Sequence, residues 1–319
     1  MLPKSTNLLS NEVRSVPAIT HKIKSLQEPN WAHSTKRHMT AISTANATVP
    51  AAAPQLTPFL KWAGGKRWLS EHVLELIPEG FGTYFEPFLG SGAIFFSLQP
   101  RAAVLSDLNG DLINAYISIR DCSEKVNKAL RQHHRQHSKD YYYRIRASTL
   151  RTQHTRAAQF IYLNRTCWNG LYRVNLAGAF NVPIGTKTKV ILDTDDFPAT
   201  AELLSRAELH CRDFEITINL AGANDVIFAD PPYTIHHNHN GFVKYNENIF
   251  SWRDQIRLRD ATVRAVARGA KIIMTNANHE SVRELYSEGF TLTPMSRMSV
   301  IAGASTARKA YEELLIVSV

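Results

Sequence analysis

Cysteine is scarce in this chain of 319 residues: Cys122, Cys167 and Cys211 stand far apart, with no Cys-x-x-Cys pair. That excludes a disulfide framework and a cysteine-built zinc site, and it fits a reducing, intracellular setting. No stretch approaches the length of apolar chain that crosses a bilayer, so no membrane span is expected. There are no internal repeats. Acidic residues are depleted in one region: residues 120–190 hold fourteen Lys/Arg against three Asp/Glu, within a chain of net charge +9. The flanks of that block are mildly acidic. A concentrated basic block is a candidate footprint for a phosphate backbone, and a solvated helical face is the ordinary alternative.

What is present is a globular composition, 44% hydrophobic and 20% charged. Residues 1–55 are rich in Ser, Thr, Ala, Asn and Pro, show no sustained period, and read as a disordered tail. Two other readings are an organelle-targeting peptide and a true start at Met39. From Thr57 onward, strand-like runs fall at 83–88, 102–107, 207–213, 225–230, 271–276, 290–300 and 311–319. Helical stretches fall at 70–77, 91–98, 110–119 and 253–268. Strands alternating with helices predict a mostly parallel sheet covered on both faces. The last two strands are joined without a helix, so they are expected to pair antiparallel. A long insertion, about 120–200, carries the basic block and reads as mainly helical, with a hairpin over 170–185.

Chemistry-bearing residues gather at the predicted strand ends, where open α/β sheets bind ligands. "EPFLGSGAIFF" is a strand, a turn at Gly90 and Gly92, and a helix. Small residues there let a ligand approach backbone at a helix N-terminus. The next strand ends on Asp107, placed to accept hydrogen bonds from ribose hydroxyls. The full Gly-x-Gly-x-x-Gly pattern is missing, which favours a nucleoside cofactor other than NAD. In "PFLKWAGGKRWL", Trp62 offers an indole for stacking on a purine, and Lys66 can meet a carboxylate. An ordinary turn with a core tryptophan is the structural alternative. Most unusual is "DVIFADPPYTIHH": an apolar strand runs into Asp230, Pro231, Pro232 and Tyr233. Prolines cannot continue a ladder, so they freeze an acid and an aromatic ring at the strand's tip.

Together "FLKWAGGK", "EPFLGSG", "SDLNGDL", "LNRTCWNGLYRVN", "FNVPIG", "ADPPY" and "FVKYNENIF" resemble the DNA adenine methyltransferase (Dam-type, D12 class) family of N6-adenine methyltransferases, in the family's order, from about Pro58 to the C-terminus. The resemblance implies a Rossmann-like α/β sheet of about seven strands that binds S-adenosylmethionine (SAM), its last pair antiparallel, with a helical target-recognition insertion. The catalytic domain would be 56–119 and 201–319, and the recognition domain 120–200. Trp62 and Lys66 would contact the cofactor; Glu86, Phe88 and Gly90 would line its pocket; Asp107 would hold the nucleoside, and Asp213 would approach the adenine.

An exocyclic adenine amine is a poor nucleophile because its lone pair is delocalised into the ring. Asp230 and the Pro231 carbonyl would accept its two hydrogens, with Tyr233 stacked on the base, which must be flipped from the duplex. Trp168, Asn169 and Arg173 match family positions at the DNA target, Arg173 suiting a guanine edge. The expected partner is double-stranded DNA, with a GATC-like site as the family default. A cytoplasmic, DNA-associated monomer is expected, with a restriction endonuclease as a genetic partner. Alternatives are an N4-cytosine or RNA methyltransferase on the same fold, and an inactive DNA-binding relative. The histidine-dense loop, His236, His237 and His239, reads as a mobile lid over the flipped base rather than a metal site. "HHRQH" (133–137) reads as exposed helix.

Overall fold

In a computed structural model the described residues are 56–62, 64–175, 178–234, 250–298 and 310–319. The expected tail, 1–55, and the histidine-rich loop lie outside them. All described residues fall within one compact unit, Ala53–Val319.

Five apolar runs become parallel strands: β1 (Tyr84–Glu86), β2 (Ala103–Asp107), β3 (Ala207–Cys211), β4 (Val226–Ala229) and β5 (Lys271–Ala277). β6 (Phe290–Met298) and β7 (Ala310–Ser318) form the expected antiparallel pair. The order across the sheet is β3-β2-β1-β4-β5-β7-β6. The last strand is therefore interior: β7 lies between β5 and β6 and runs antiparallel to both. Strands buried on both faces read as continuous apolar runs, which is why β4 and β5 stand out in the sequence.

The helices are α1 (Ser70–Glu75), α2 (Ala93–Leu98), α3 (Gly110–Gln136), α4 (Lys139–Ala147), α5 (Gln153–Thr166), α6 (Phe197–Leu204), α7 (Phe214–Ile218), α8 (Trp252–Ala267) and α9 (Glu280–Leu285). They form apolar layers on both sides of the sheet. Tyr84, Val226, Phe228, Ile273 and Leu315 pack on one side with Leu112, Tyr116, Ile161 and Leu203. Phe85, Ile227, Met274 and Leu314 pack on the other with Phe214, Leu258, Ala265 and Val282. Ser251 and Asp254 start α8 with a reciprocal capping box.

Two expectations need correction. The helix predicted over 110–119 runs on to Gln136, with a break at Cys122 (φ −154°, ψ 47°). Beyond the break Val126, Leu130 and His133 are buried, a helical spacing that keeps the second half packed. The hairpin over 170–185 is shorter than expected: Val174 pairs with Phe180, flanked by bonds from the Asn175 amide to the Ala179 carbonyl and from the Asn181 amide to the Arg173 carbonyl, and a separate bridge joins Cys167 to Ile184. Glycines and polar residues there give few side chains to a ladder.

The insertion is tied to the start of the fold by two side chains of α5. Asn164 accepts from the Lys61 amide at 2.8 Å and donates to the Lys61 carbonyl at 2.7 Å. Buried Arg165 donates to the carbonyls of Phe59 and Val190 and pairs with Asp195. A guanidinium can bridge three segments because its donors form a rigid fork.

Candidate active site

Strands β1, β2 and β3 progress one way across the sheet and β4 and β5 the other, so the order reverses between β1 and β4. Ligands in open α/β sheets bind beyond the carboxyl ends at such a reversal. Glu86 ends β1 and Asp230 follows β4. By strand alternation Glu86, Asp230, Thr275 and Glu313 share the sheet face that carries Tyr84, Phe228, Ile273 and Leu315.

Four residues interlock around Asp230. Lys66 is 4% exposed, and its Nζ lies 2.9 Å from Asp230 Oδ1 and 3.5 Å from Glu313 Oε2. It also donates to the Gly64 carbonyl. The Thr275 hydroxyl donates to Asp230 Oδ1 at 2.6 Å. The Tyr233 hydroxyl donates to Glu313 Oε2 at 2.9 Å, while Lys66 Nζ lies 4.9 Å from the centre of the Tyr233 ring. Burial holds the Tyr233 phenol well above its ordinary pKa, and Asp230 and Glu313 add to the effect. Pro231 is buried and Pro232 half-buried. Among the described residues, the contacts of the Asp230 carboxylate with Lys66 and Thr275 both fall on Oδ1.

The glycine turn is built around Trp62. Gly90 has φ 47° and Gly92 φ 65°, a left-handed conformation that favours glycine. A Cβ on Gly90 would meet Trp62 Cδ1 at 2.8 Å. The indole stacks on Tyr172 of the insertion, with ring centres 5.6 Å apart. Asp107 accepts from the Gly90 amide at 3.1 Å and the Asn109 amide at 3.0 Å, which ties the tip of β2 to the turn after β1. Burial raises the Asp107 carboxyl, and the amides of Asn109 and Gly90 pull it back. Asn109 in turn caps α3.

Glu86 is 2% exposed and accepts from the Tyr84 hydroxyl at 2.9 Å. Burial pushes its carboxyl up to about 8; the Tyr84 bond opposes the shift and the charge on Asp230 adds to it. Phe88 stacks on Phe214 at 5.3 Å and meets Phe250 edge-on, forming an apolar wall. Asp213 caps α7 and pairs with Arg257 at 2.9 Å.

Of the three residues assigned to DNA, Trp168 is 52% exposed and opens a short 3-10 turn, Trp168–Gly170, where a loop was expected. Asn169 has φ 54°, which turns the chain after it. Arg173 is exposed, and its Nε donates to Asn181. Their neighbour Tyr172 covers Trp62. The histidines at 236, 237 and 239 lie outside the described residues. Among the described residues no group of three or more His, Cys, Asp or Glu could hold a metal ion, and no helix is long and apolar enough to cross a membrane. The reading of 133–137 as exposed is overturned at one position. His133 is buried, bonded to the Tyr141 hydroxyl and stacked on Tyr162, and burial lowers it to about 4.

Sequence reasoning missed Glu313, Thr275, Tyr84 and Tyr172. Glu313 left a faint signal, an acid in the apolar run "YEELLIVSV" on the same alternation as Leu315. Thr275 and Tyr84 look like ordinary strand residues.

Residues 62–301 match the family described as D12 class N6 adenine-specific DNA methyltransferase. The chain is 35% identical over 270 residues to a type II methyltransferase, M1.LlaDCHI, of Lactococcus lactis subsp. cremoris, covering 82% of this chain and 95% of the relative. It is 36% identical over 271 residues to the DNA N-6-adenine-methyltransferase of Escherichia phage P1, covering 83% of this chain and 36% of that longer protein. It is 33% identical over 288 residues to the type II methyltransferase M.MjaIII of Methanocaldococcus jannaschii, covering 83% and 99%.

Proposed function

The chain belongs to the D12 class of N6 adenine-specific DNA methyltransferases, and on that premise we propose that it moves a methyl group from SAM to N6 of an adenine flipped out of a short duplex site. The carrying observation is the frozen corner itself. Asp230 sits at the reversal of strand order, fixed by Lys66 and Thr275, with the Tyr233 ring beside it.

The residues beside the corner suit SAM. Asp107 offers carboxylate oxygens to vicinal ribose hydroxyls, and the Gly90 turn leaves no room for a side chain. Phe88 with Phe214 supplies an apolar wall for a purine, with Asp213 at its edge. Trp62, Lys66 and Glu86 border the same region. When bound, SAM supplies an electrophilic methyl carbon on a positive sulfonium.

The chain's own residues do the rest by position and charge. The Asp230 carboxylate and the Pro231 carbonyl accept the two amine hydrogens and localise the nitrogen lone pair. Because the Lys66 and Thr275 contacts use Oδ1, Oδ2 is the oxygen left to face the amine. Tyr233 presents its ring to the base. As the new N–C bond forms, nitrogen becomes acidic, and Asp230 takes up the released proton. Aligned acceptors and preorganised charge of this kind supply several kcal/mol of barrier reduction.

The recognition role falls to 120–200, whose basic block faces phosphates while Trp168 and Asn169 fill the gap left by the flipped base and Arg173 reads a guanine edge. Residues 56–119 and 201–319 form the catalytic domain. A GATC-like site, a monomeric state, action on DNA in the cytoplasm and a cognate restriction endonuclease encoded nearby belong to the same proposal. The test is transfer of labelled methyl from SAM to unmethylated duplex DNA by the full chain, followed by nucleoside analysis. N6-methyladenine is expected, and Asp230→Ala should abolish it with the fold intact. N4-methylcytosine as the product, or near-normal activity in Asp230→Ala, would overturn the reading.

A further inference from the structure

The final strand carries a residue that the mechanism above does not use. We propose that Glu313 is a positioning residue of the methyl-transfer site: its carboxylate fixes the Tyr233 ring and the Lys66 ammonium in one arrangement around Asp230. The inference rests on the reading of Asp230–Tyr233 as the corner that receives the target base.

Three observations carry it. First, Glu313 is 7% exposed yet lies on an interior strand, on the same face as the apolar Leu315 and Val317. A buried acid is retained there only with partners, and its partners are Tyr233 and Lys66, both at the corner. Second, β7 is held by ladders on both sides, with Glu313 opposite Ala277 of β5 and Met295 of β6, so the carboxylate hangs from rigid backbone. Tyr233 stands in irregular chain after two prolines. A hydrogen bond from its hydroxyl to a fixed acceptor sets the plane of the ring, which is the surface a flipped base meets. Third, Lys66 divides its charge between two acids, one at the tip of β4 and one on β7, with β5 between them. With Glu313 removed, the ammonium can close wholly on Asp230 and compete with the amine for that carboxylate. Glu313 thus draws Lys66 aside while aligning Tyr233, without touching the base itself.

The test compares Glu313→Ala, Glu313→Gln and Tyr233→Phe in the full chain, measuring kcat and KM for DNA, SAM affinity by titration, and thermal melting. Glu313→Ala should lower kcat between about tenfold and a hundredfold, as small misplacements of reacting groups do, with SAM affinity within about threefold of the parent. Glu313→Gln, which keeps an acceptor for the Tyr233 hydroxyl, should recover part of the loss. The double variant Glu313→Ala/Tyr233→Phe should be no slower than the slower single variant, because Glu313→Ala has already lost the hydrogen bond that Tyr233→Phe removes. Losses that multiply, a defect confined to SAM affinity, or rates within about twofold of the parent overturn the proposal. If Glu313→Ala does not fold, Tyr233→Phe deletes the same bond, and with Glu313→Gln it decides by the same criteria. A parent chain that makes no N6-methyladenine overturns the functional reading and this role with it. An active parent with unaffected variants overturns only this role.

Discussion

Lys66 Nζ lies 2.9 Å from Asp230 Oδ1 and 3.5 Å from Glu313 Oε2, so one buried ammonium serves two acids, one just past β4 and one on β7. Removing one member of a buried charge cluster leaves the others uncompensated. Lys66→Met should therefore lower stability by about 2–3 kcal/mol, somewhat less than for a fully enclosed pair because Asp230 keeps some water contact. Urea unfolding monitored by circular dichroism measures it. A loss below about 0.5 kcal/mol, the range of ordinary surface changes, would show that the cluster is solvent-screened.

Gly90→Ala places a methyl group where the Trp62 indole stands, on backbone with φ 47°. Indole and backbone cannot both stay. The expected loss is about 1–2 kcal/mol from the left-handed backbone alone, with SAM affinity reduced in the same variant. Gly178 is the comparison: it too has positive φ, but a Cβ there meets nothing within 4 Å. Equal effects of Ala at both positions would mean that the Trp62 contact is unimportant.

Glu86 should make stability depend on pH. Its carboxyl stands at about 8 in the fold, against 4.5 for an ordinary glutamate. Between those values the folded state binds more protons than the unfolded state, so this group's contribution falls as pH rises from about 5 to about 8 and levels off above. Glu86→Gln mimics the protonated form and keeps an acceptor for Tyr84. Its melting temperature should match the parent at pH 4.5 and exceed it at pH 8.5. Parallel melting curves across that window would contradict the assignment.

Trp168→Ala should separate stability from DNA handling. The indole is more than half exposed, so unfolding free energy should change by no more than about 0.5 kcal/mol. If the ring fills the gap left by the flipped base, KM for duplex DNA rises while SAM affinity holds. Base–aromatic stacking is worth about 1–3 kcal/mol, or roughly tenfold in KM. An unchanged KM, or a loss of stability, would remove Trp168 from the DNA interface.

Local pattern carried the element boundaries. The apolar runs at 225–230 and 271–276 became Val226–Ala229 and Lys271–Ala277 because a strand buried on both faces is apolar along most of its length. The helix predicted to stop at 119 did not, because its continuation holds its apolar positions at wide spacing among basic residues, which blurs the period.

What the amino-acid order determined by itself was therefore short in range: strands, caps, the glycine turn at Gly90, and the acid–proline–proline–tyrosine corner. Those depend on backbone sterics and on periodicity within a few residues. Only the tertiary structure decided that β7 inserts between β5 and β6, that Glu313 meets Tyr233 from 80 residues away, and that Asn164 and Arg165 clasp residues 103 and 106 positions earlier. Such pairings are chosen by strand order and by the need of each buried charge for a partner, and neither is written in any window of neighbouring residues.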